Sequence, residues 1–251
     1  MEARKISSLQ HPIVKHLKRL RIDKKYRKIH SSILIFGMKM VKEAASCFPI
    51  KKLLIAEKNL NDIPAEETFF VSTEILKKIS DLPSPEPIAA EIPMPAFPPL
   101  MQQRFLLALD KINDPGNLGT LFRSALAFGV EGILLLKGSV DPYNDKALRA
   151  SKGAVFHMPF YDASWKEIKQ HAEKHSMQML VADLNGENFE SAVFTFPLII
   201  VLGNESLGIS KEAKQLCHSI TIPMANTLNS LNVSIAGGIL LYHLGKAYGN
   251  R

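Results

Sequence analysis

The sequence has little of what marks several classes of protein. Its 251 residues include two cysteines, Cys47 and Cys217, which lie far apart and match no metal-binding or redox spacing. The longest apolar runs, near 196–203 and 235–244, are well short of the roughly 20 residues that a membrane-spanning helix needs. No G-x-G-x-x-G motif is present, which argues against an ordinary dinucleotide-binding domain. We therefore expect a soluble cytoplasmic protein that holds no metal ion and has no membrane partner.

Positive charge is concentrated at one end of the chain. Residues 1–30 contain ten Lys or Arg residues and two acidic ones, a net charge of +8, whereas the remainder has a net charge of −1. A clustered excess of this kind attracts polyanions, since neutralised phosphates release their condensed counterions. The same segment has helical periodicity, with Val14, Leu17 and Leu20 on one apolar side.

The basic residues of this segment are candidate RNA contacts, and two other interpretations stay open. A solvated, lysine-rich helix face would have the same composition. A mitochondrial presequence is also basic, although this segment has few serines and no cleavage site of small residues. The predicted RNA-binding residues are Lys15, Lys18, Arg19, Arg21, Lys24, Lys25 and Arg27.

Proline is concentrated in one stretch of the chain. Seven of the fifteen prolines fall within residues 83–99, and such a run is expected to form neither a helix nor a central strand. We interpret it as a semi-rigid connector. The predicted division is a small basic α/β domain at 1–80, a linker at 81–103 and a second domain at 104–251. In the first domain, strands are predicted at 33–36 and 53–56, and a helix at 38–47.

After the proline-rich stretch, short apolar runs alternate with helical patterns. This alternation is typical of a mostly parallel sheet with helices on both faces, and the predicted fold class is therefore α/β. Strands are predicted at 105–109, 132–136, 179–182, 198–202 and 219–222, and helices at 118–128, 146–152, 165–175, 211–217 and 232–248.

Three polar clusters follow predicted strands, at the sheet edge where ligands of open parallel sheets bind. The first spans 110–117, where Pro115-Gly116 suits a type II turn and Asn117 suits a helix N-cap. In the helix after it, Arg123 is the only charged residue and points away from the apolar face, so it is either a site residue, a subunit contact or a plain surface arginine.

The second cluster, 203–208, and the third, 222–232, could each be an ordinary polar turn when taken alone. The third precedes a helix so apolar that it must be buried on nearly all sides, by its own domain or by a partner subunit. Within that helix, Gly237-Gly238 indicates close backbone packing.

Taken together, the three clusters resemble motifs 1, 2 and 3 of the SpoU/TrmH ribose methyltransferases, a family of the SPOUT superfamily. The matching residues are Asp114-Pro115-x-Asn117-x-Gly119-x-x-x-Arg123, then Gly203-Asn204-Glu205-x-x-Gly208, then Ile222-Pro223-Met224 and Ser230-Leu231-Asn232-Val233-Ser234, with Ser151-x-Gly153-Ala154 and Pro159 between the first two. The resemblance covers 105–250 well and extends more loosely to 1–80, where it implies a substrate-binding domain similar to a ribosomal-protein fold.

The resemblance implies a trefoil knot, a homodimer and S-adenosylmethionine as cofactor. By motif position, Leu202, Gly203, Ile222 and Leu231 would hold the cofactor. The catalytic set would be Arg123, acting on the target hydroxyl, with Asn117, Glu205, Ser230 and Asn232 shaping the site. Two positions depart from the commoner pattern, because Asn226 stands where Gly is frequent and Asn229 where Glu is frequent.

The function that this resemblance implies is methyl transfer from S-adenosylmethionine to a ribose 2′-hydroxyl of structured RNA, with ribosomal RNA favoured by the two-domain layout. Transfer RNA as substrate, base methylation, and an inactive RNA-binding or ribosome-assembly protein on the same fold are the alternatives. A guanidinium is a poor general base. Arg123 either accepts the proton nonetheless, or it grips a neighbouring phosphate and orients the hydroxyl.

Overall fold

The structure is a computed structural model that describes residues 4–56, 62–204, 206–225 and 230–249. The chain forms two compact units, one of Met1–Ala96 with Tyr143–Leu148, and one of Phe97–Pro142 with Arg149–Arg251. Within the described ranges, no helix is long and apolar enough to cross a membrane.

The first unit is a small α/β domain built on a mixed sheet of order β1-β4-β3-β5-β2. Its elements are β1 (Arg4–Ile6), α1 (Pro12–Ile22), α2 (Lys24–His30), β2 (Ser32–Phe36), α3 (Met38–Cys47), β3 (Lys52–Ile55), β4 (Glu67–Val71), α4 (Thr73–Ser80) and β5 (Ile88–Pro93). The predicted apolar side of α1 is confirmed, because Val14, Leu17 and Leu20 are fully buried.

Strand β5 corrects the prediction for the proline-rich stretch. It lies inside the predicted linker and is a central strand, antiparallel to β2 on one side and to β3 on the other. The reason is local, since residues 88–92 contain no proline and Pro93 comes only at the end of the strand. Prolines therefore flank this strand and do not interrupt its ladder.

The second unit is built on a sheet of order β11-β9-β10-β6-β7-β8 whose strand pairs are all parallel. Its elements are β6 (Phe105–Leu109), α5 (Pro115–Ala127), β7 (Gly132–Leu136), α7 (Ala154–His157), β8 (Phe160–Ala163), α8 (Trp165–Lys174), β9 (Gln178–Asn188), β10 (Leu198–Leu202), α9 (Lys211–Leu216), β11 (His218–Thr221) and α10 (Val233–Gly249), while α6 spans Asp145–Ser151. The predicted parallel α/β fold is confirmed.

Helix α10 packs closely against α5. A Cβ at Gly237 would lie 2.8 Å from the Leu202 side chain and closer still to Leu121, so the prediction of close packing is confirmed there. It is wrong for Gly238, where a Cβ would meet only the Ser124 hydroxyl at 3.9 Å. The helix is also less covered than predicted within its own chain, because one face leaves Ile235, Ile239 and Tyr242 exposed.

Candidate active site

A cavity of about 200 Å³ lies at the carboxyl ends of β9, β10 and β11. This is the edge of a parallel sheet at which ligands bind, because the loops that follow the strands converge there. The wall is mostly apolar, and it includes the first turn of α10 through Val233 and Ala236. Such a wall suits a small organic molecule held by a few polar groups.

The structure brings together the residues that the resemblance marks for cofactor binding. Leu202, Gly203, Ile222 and Leu231 all line the cavity, although they come from three separate segments of the chain. Their contact with a cofactor stays a prediction, but their convergence on one cavity is a property of the fold.

The turn after β10 is tight because the backbone doubles back on itself. Asn204 and Gly208 exchange two backbone hydrogen bonds of 3.0 Å. A Cβ at Gly203 would lie 2.8 Å from the Gly208 carbonyl oxygen and 2.9 Å from Ile209, so a larger residue would disturb the turn. Glycine at this position therefore lets the chain backbone itself form part of the cavity wall.

Asn204 is a site residue to which the sequence analysis gave no role. Its Nδ2 donates to the Lys111 carbonyl oxygen at 2.7 Å, and its Oδ1 accepts from the backbone N–H groups of Ser206 and Leu207 at 2.9 and 2.7 Å. The buried side chain thus ties the loop after β6 to the loop after β10. The signal was an asparagine immediately after a buried strand, where its side chain can organise a turn.

The first and third clusters meet through a pair of asparagines. Asn232 Nδ2 donates to Asn117 Oδ1 at 3.0 Å, across 115 positions of sequence. Asn232 Oδ1 meanwhile accepts from the backbone N–H and the hydroxyl of Ser234, at 2.9 and 2.6 Å, in the first turn of α10. The pair fixes the starts of α5 and α10 relative to each other.

The start of α5 differs from the prediction. The helix begins at Pro115, with Asp114 as its N-cap accepting from the Asn117 N–H at 2.8 Å, so Asn117 lies inside the first turn and is not the cap. Pro115-Gly116 is accordingly helical and forms no type II turn. Proline at the first helical position has no N–H to leave unpaired, which explains why the helix starts there.

Apart from Arg123, the remaining predicted site residues divide into two cases. Ser230 lines the cavity beside Leu231. Glu205, Asn226 and Asn229 lie outside the described residues. Across the described part of the chain, no group of three or more His, Cys, Asp or Glu residues is placed to hold a metal ion.

Arg123 is exposed on α5, and it does not line the cavity. The prediction that it faces away from the apolar side is confirmed, since Leu118, Leu121 and Phe122 are buried. Among the residues that the structure describes, it has no hydrogen-bond or ion-pair partner. Its exposed guanidinium can therefore donate to a ligand.

The predicted RNA-binding residues of the first unit do not behave alike. Arg27 is 4% exposed, and its guanidinium donates to the carbonyl oxygens of Leu20 and Arg21 at 2.6 and 2.8 Å, in the last turn of α1. It caps a helix end, so its assignment as an RNA contact is wrong. The Arg21 side chain, 12% exposed, is likewise directed to the end of α4, where it lies 3.3 Å from Asp81.

The other basic residues of α1 and α2 are available to solvent. Arg19 is 59% exposed and lies over the Tyr26 ring at 4.1 Å, where the ring holds its guanidinium plane in place. The exposed lysines of the predicted set are Lys15, Lys18, Lys24 and Lys25. These five residues, the exposed basic set, keep the predicted role of RNA contacts as a prediction.

Comparison with known proteins agrees with the fold. A parallel α/β sheet with a cavity at its carboxyl edge is the arrangement in which proteins of this fold class bind small molecules. The model of the SpoU rRNA methylase family matches residues 104–242, more than half of the chain. The protein belongs to this family. The model of the MRM3-like substrate binding domain matches residues 11–90.

Individual relatives extend over nearly the whole chain. An uncharacterized tRNA/rRNA methyltransferase of Synechocystis sp. is 31% identical over 94% of this chain and 92% of its own. The 23S rRNA (guanosine(2553)-2′-O)-methyltransferase RlmP of Bacillus subtilis is 29% identical over 96% and 99%. The crystal structure of an AdoMet-bound rRNA methyltransferase from Sinorhizobium meliloti superposes with a TM-score of 0.86 at 26% identity, covering 98% of each chain.

Proposed function

We propose that this protein transfers a methyl group from S-adenosylmethionine to a ribose 2′-hydroxyl of ribosomal RNA. The observation that carries the proposal is the convergence of the three motifs, since residues from separate loops line one cavity and Asn117 and Asn232 are hydrogen-bonded beside it. Family membership and the activity for which RlmP is named support the reaction and the class of RNA.

The cavity fits the cofactor in its chemistry. Gly203 and Ile222 line the wall, and Leu202 and Leu231 would supply apolar surface for a nucleobase. The absence of a side chain at Gly203 lets the turn close against Gly208 and Ile209 while Gly203 lines the cavity. When bound, S-adenosylmethionine supplies an electrophilic methyl group on a positively charged sulfur.

The chain must chiefly align the ribose oxygen and assist loss of its proton. A guanidinium ordinarily stays protonated, so Arg123 acts here as a donor that grips a phosphate of the RNA and orients the hydroxyl beside it. The proton then passes to the phosphate or to water. Asn117, whose Oδ1 is held by Asn232, keeps the start of α5 fixed while Arg123 binds.

The protein acts as a homodimer in this proposal. Helix α10 exposes Ile235, Ile239 and Tyr242 at 55%, 38% and 58%, and Leu126 of α5 is 41% exposed. Large apolar side chains on one helix face mark an interaction surface, and a second copy of the chain would cover it. Arg123, which lies three residues before Leu126, would then be able to reach the partner's cavity. The trefoil knot within 104–251 stays a further prediction.

The first unit holds the RNA in this proposal. The exposed basic set supplies sequence-independent phosphate contacts, and these position the substrate without reading its bases. Because such contacts release counterions, binding is expected to weaken steeply as salt rises.

The test is methylation of ribosomal RNA that lacks this modification, with radiolabelled S-adenosylmethionine, followed by digestion to nucleosides. We expect label in a single 2′-O-methylated nucleoside from ribosomal RNA. Label on a base, or in transfer RNA alone, would redirect the proposal to an alternative substrate. Cofactor binding without transfer to any RNA would favour an inactive RNA-binding protein.

A further inference from the structure

Strand β9 has an irregularity that neither the motifs nor the proposed function uses. Its residues Leu180 and Val181 pair with β11 at His218 and Ser219, and the ladder then resumes at Glu187 with Ile220. Five residues, 182–186, therefore lie between the two registers and have no partner in β11. They form a bulge at the carboxyl edge of the sheet.

The bulge is held firmly against β11. At Gly186 a Cβ would lie 2.5 Å from the backbone nitrogen of Ile220, so only glycine allows this approach. The Thr221 hydroxyl donates to the Leu184 carbonyl oxygen at 3.2 Å. These contacts fix the direction in which the bulge leaves the sheet, and they place Ala182, Asp183 and Leu184 in the wall of the cavity.

Asp183 is the only ionisable residue among the described residues that line this cavity. Its one hydrogen bond is long, with Oδ1 accepting from the Asn185 N–H at 3.4 Å, and no ion pair to it occurs in the described part of the chain. A carboxylate has about four acceptor sites, so most of its capacity is unused. A carboxylate partly withdrawn from water beside apolar side chains favours a donor or a cation as its partner.

The geometry points to Asp183 as a binding residue for the donor-bearing, positively charged side of the cofactor. This inference rests on the proposed function, because S-adenosylmethionine carries a ribose diol, an ammonium group and a sulfonium centre, all of which a carboxylate attracts. Asp183 would therefore contribute a negatively charged acceptor, which the apolar side chains and the backbone of the cavity wall lack.

The test is calorimetric binding of S-adenosylmethionine to the full-length protein and to Asp183→Asn, which keeps the shape and removes the charge. We expect the variant to bind about tenfold or more weakly, as for loss of a charge-assisted hydrogen bond. Asp183→Glu keeps the charge and is expected to stay closer to the wild type. Glu190→Gln, an exposed carboxylate just beyond β9, is the matched control and should bind as the wild type does.

Three ligands identify the group that Asp183 contacts. An equal loss of affinity for methylthioadenosine, which lacks the amino acid portion, assigns the ribose diol. A loss for S-adenosylhomocysteine but not for methylthioadenosine assigns the ammonium, and a loss for S-adenosylmethionine alone assigns the sulfonium. Affinities of Asp183→Asn within twofold of the wild type for all three overturn the inference. Failure of the wild type to bind S-adenosylmethionine would instead overturn the proposed function. Unfolding of each variant without ligand, followed by circular dichroism, checks that it is folded.

Discussion

The arginines of helices α5 and α2 differ in their exposure and in their hydrogen-bond partners. Arg123 of α5 is exposed and has no partner among the described residues, whereas Arg27 of α2 is buried with its guanidinium on the carbonyl oxygens that end α1. A guanidinium can thus either leave its N–H donors exposed for a ligand or donate them to the carbonyl oxygens at a helix end. Charge alone does not separate the two roles, and the difference lies in which backbone groups of the neighbouring elements are unpaired.

The largest expected effect is on turnover, and it tests the role of the exposed Arg123 guanidinium. Arg123→Ala should lower turnover by about 100- to 1,000-fold, because it removes donors that act on the reacting groups. The affinity for S-adenosylmethionine should stay within a few-fold, since Arg123 does not line the cavity of its own chain. Single-turnover methylation and calorimetry measure the two quantities. Lys166→Ala, an exposed cation on α8, is the control, and near-wild-type turnover of Arg123→Ala would refute the assignment.

For Arg27, which caps the end of α1, the expected effect is on folding stability. Arg27→Ala removes two hydrogen bonds and leaves buried carbonyl oxygens unpaired, so it should lower the free energy of unfolding by about 3–4 kcal/mol.

Lys25→Ala should leave stability nearly unchanged, but it should weaken RNA binding and reduce the salt dependence of that binding by about one phosphate contact. Urea unfolding and RNA titrations at several salt concentrations measure both. A stable Arg27→Ala with a reduced salt dependence would reverse the two roles.

The contact between α5 and α10 offers a matched pair of glycines. A Cβ at Gly245 would collide with the Phe128 carbonyl oxygen at the end of α5, and backbone cannot move aside as a side chain can. Gly245→Ala should therefore cost about 2–3 kcal/mol of unfolding free energy. Gly238→Ala has space and should be neutral or stabilising by up to about 1 kcal/mol. Thermal unfolding of both variants is the measurement, and equal effects would contradict the close approach at Gly245.

The sequence was sufficient for the parallel sheet, because strand alternation is a property of the linear chain. The resemblance to the family motifs added four residues that line the cavity, Leu202, Gly203, Ile222 and Leu231. Strands 105–109, 132–136 and 198–202 were predicted with the bounds that the structure has. Strand β5 was missed because the prolines around it dominate the composition of its window. The capping role of Arg27 and the bulge that carries Asp183 depend on contacts with distant backbone groups, which no local pattern records.

Glu91 of β5 is a buried carboxylate whose partners, like those of Arg27, lie within the fold. Its Oε2 lies 2.9 Å from Lys52 Nζ and 3.2 Å from His16 Nε2, so a lysine and a histidine of the first unit bind within the fold. Burial by itself would raise the pKa of Glu91, but the hydrogen bonds from His16 and Lys52 outweigh it and lower the pKa to about 2. The folded carboxyl thus holds its proton more weakly than the unfolded one.

This depressed pKa makes stability depend on pH in a defined direction. The contribution of Glu91 is fully present above the ordinary glutamate pKa of about 4.5 and is lost as the pH falls toward about 2. The difference in unfolding free energy between the wild type and Glu91→Gln should therefore shrink by about 2 kcal/mol between about pH 6 and about pH 3. Urea unfolding at several pH values measures it, with Glu66→Gln, an exposed carboxylate, as the control. A difference that does not change with pH would mean that His16 and Lys52 do not hold Glu91 in its charged form.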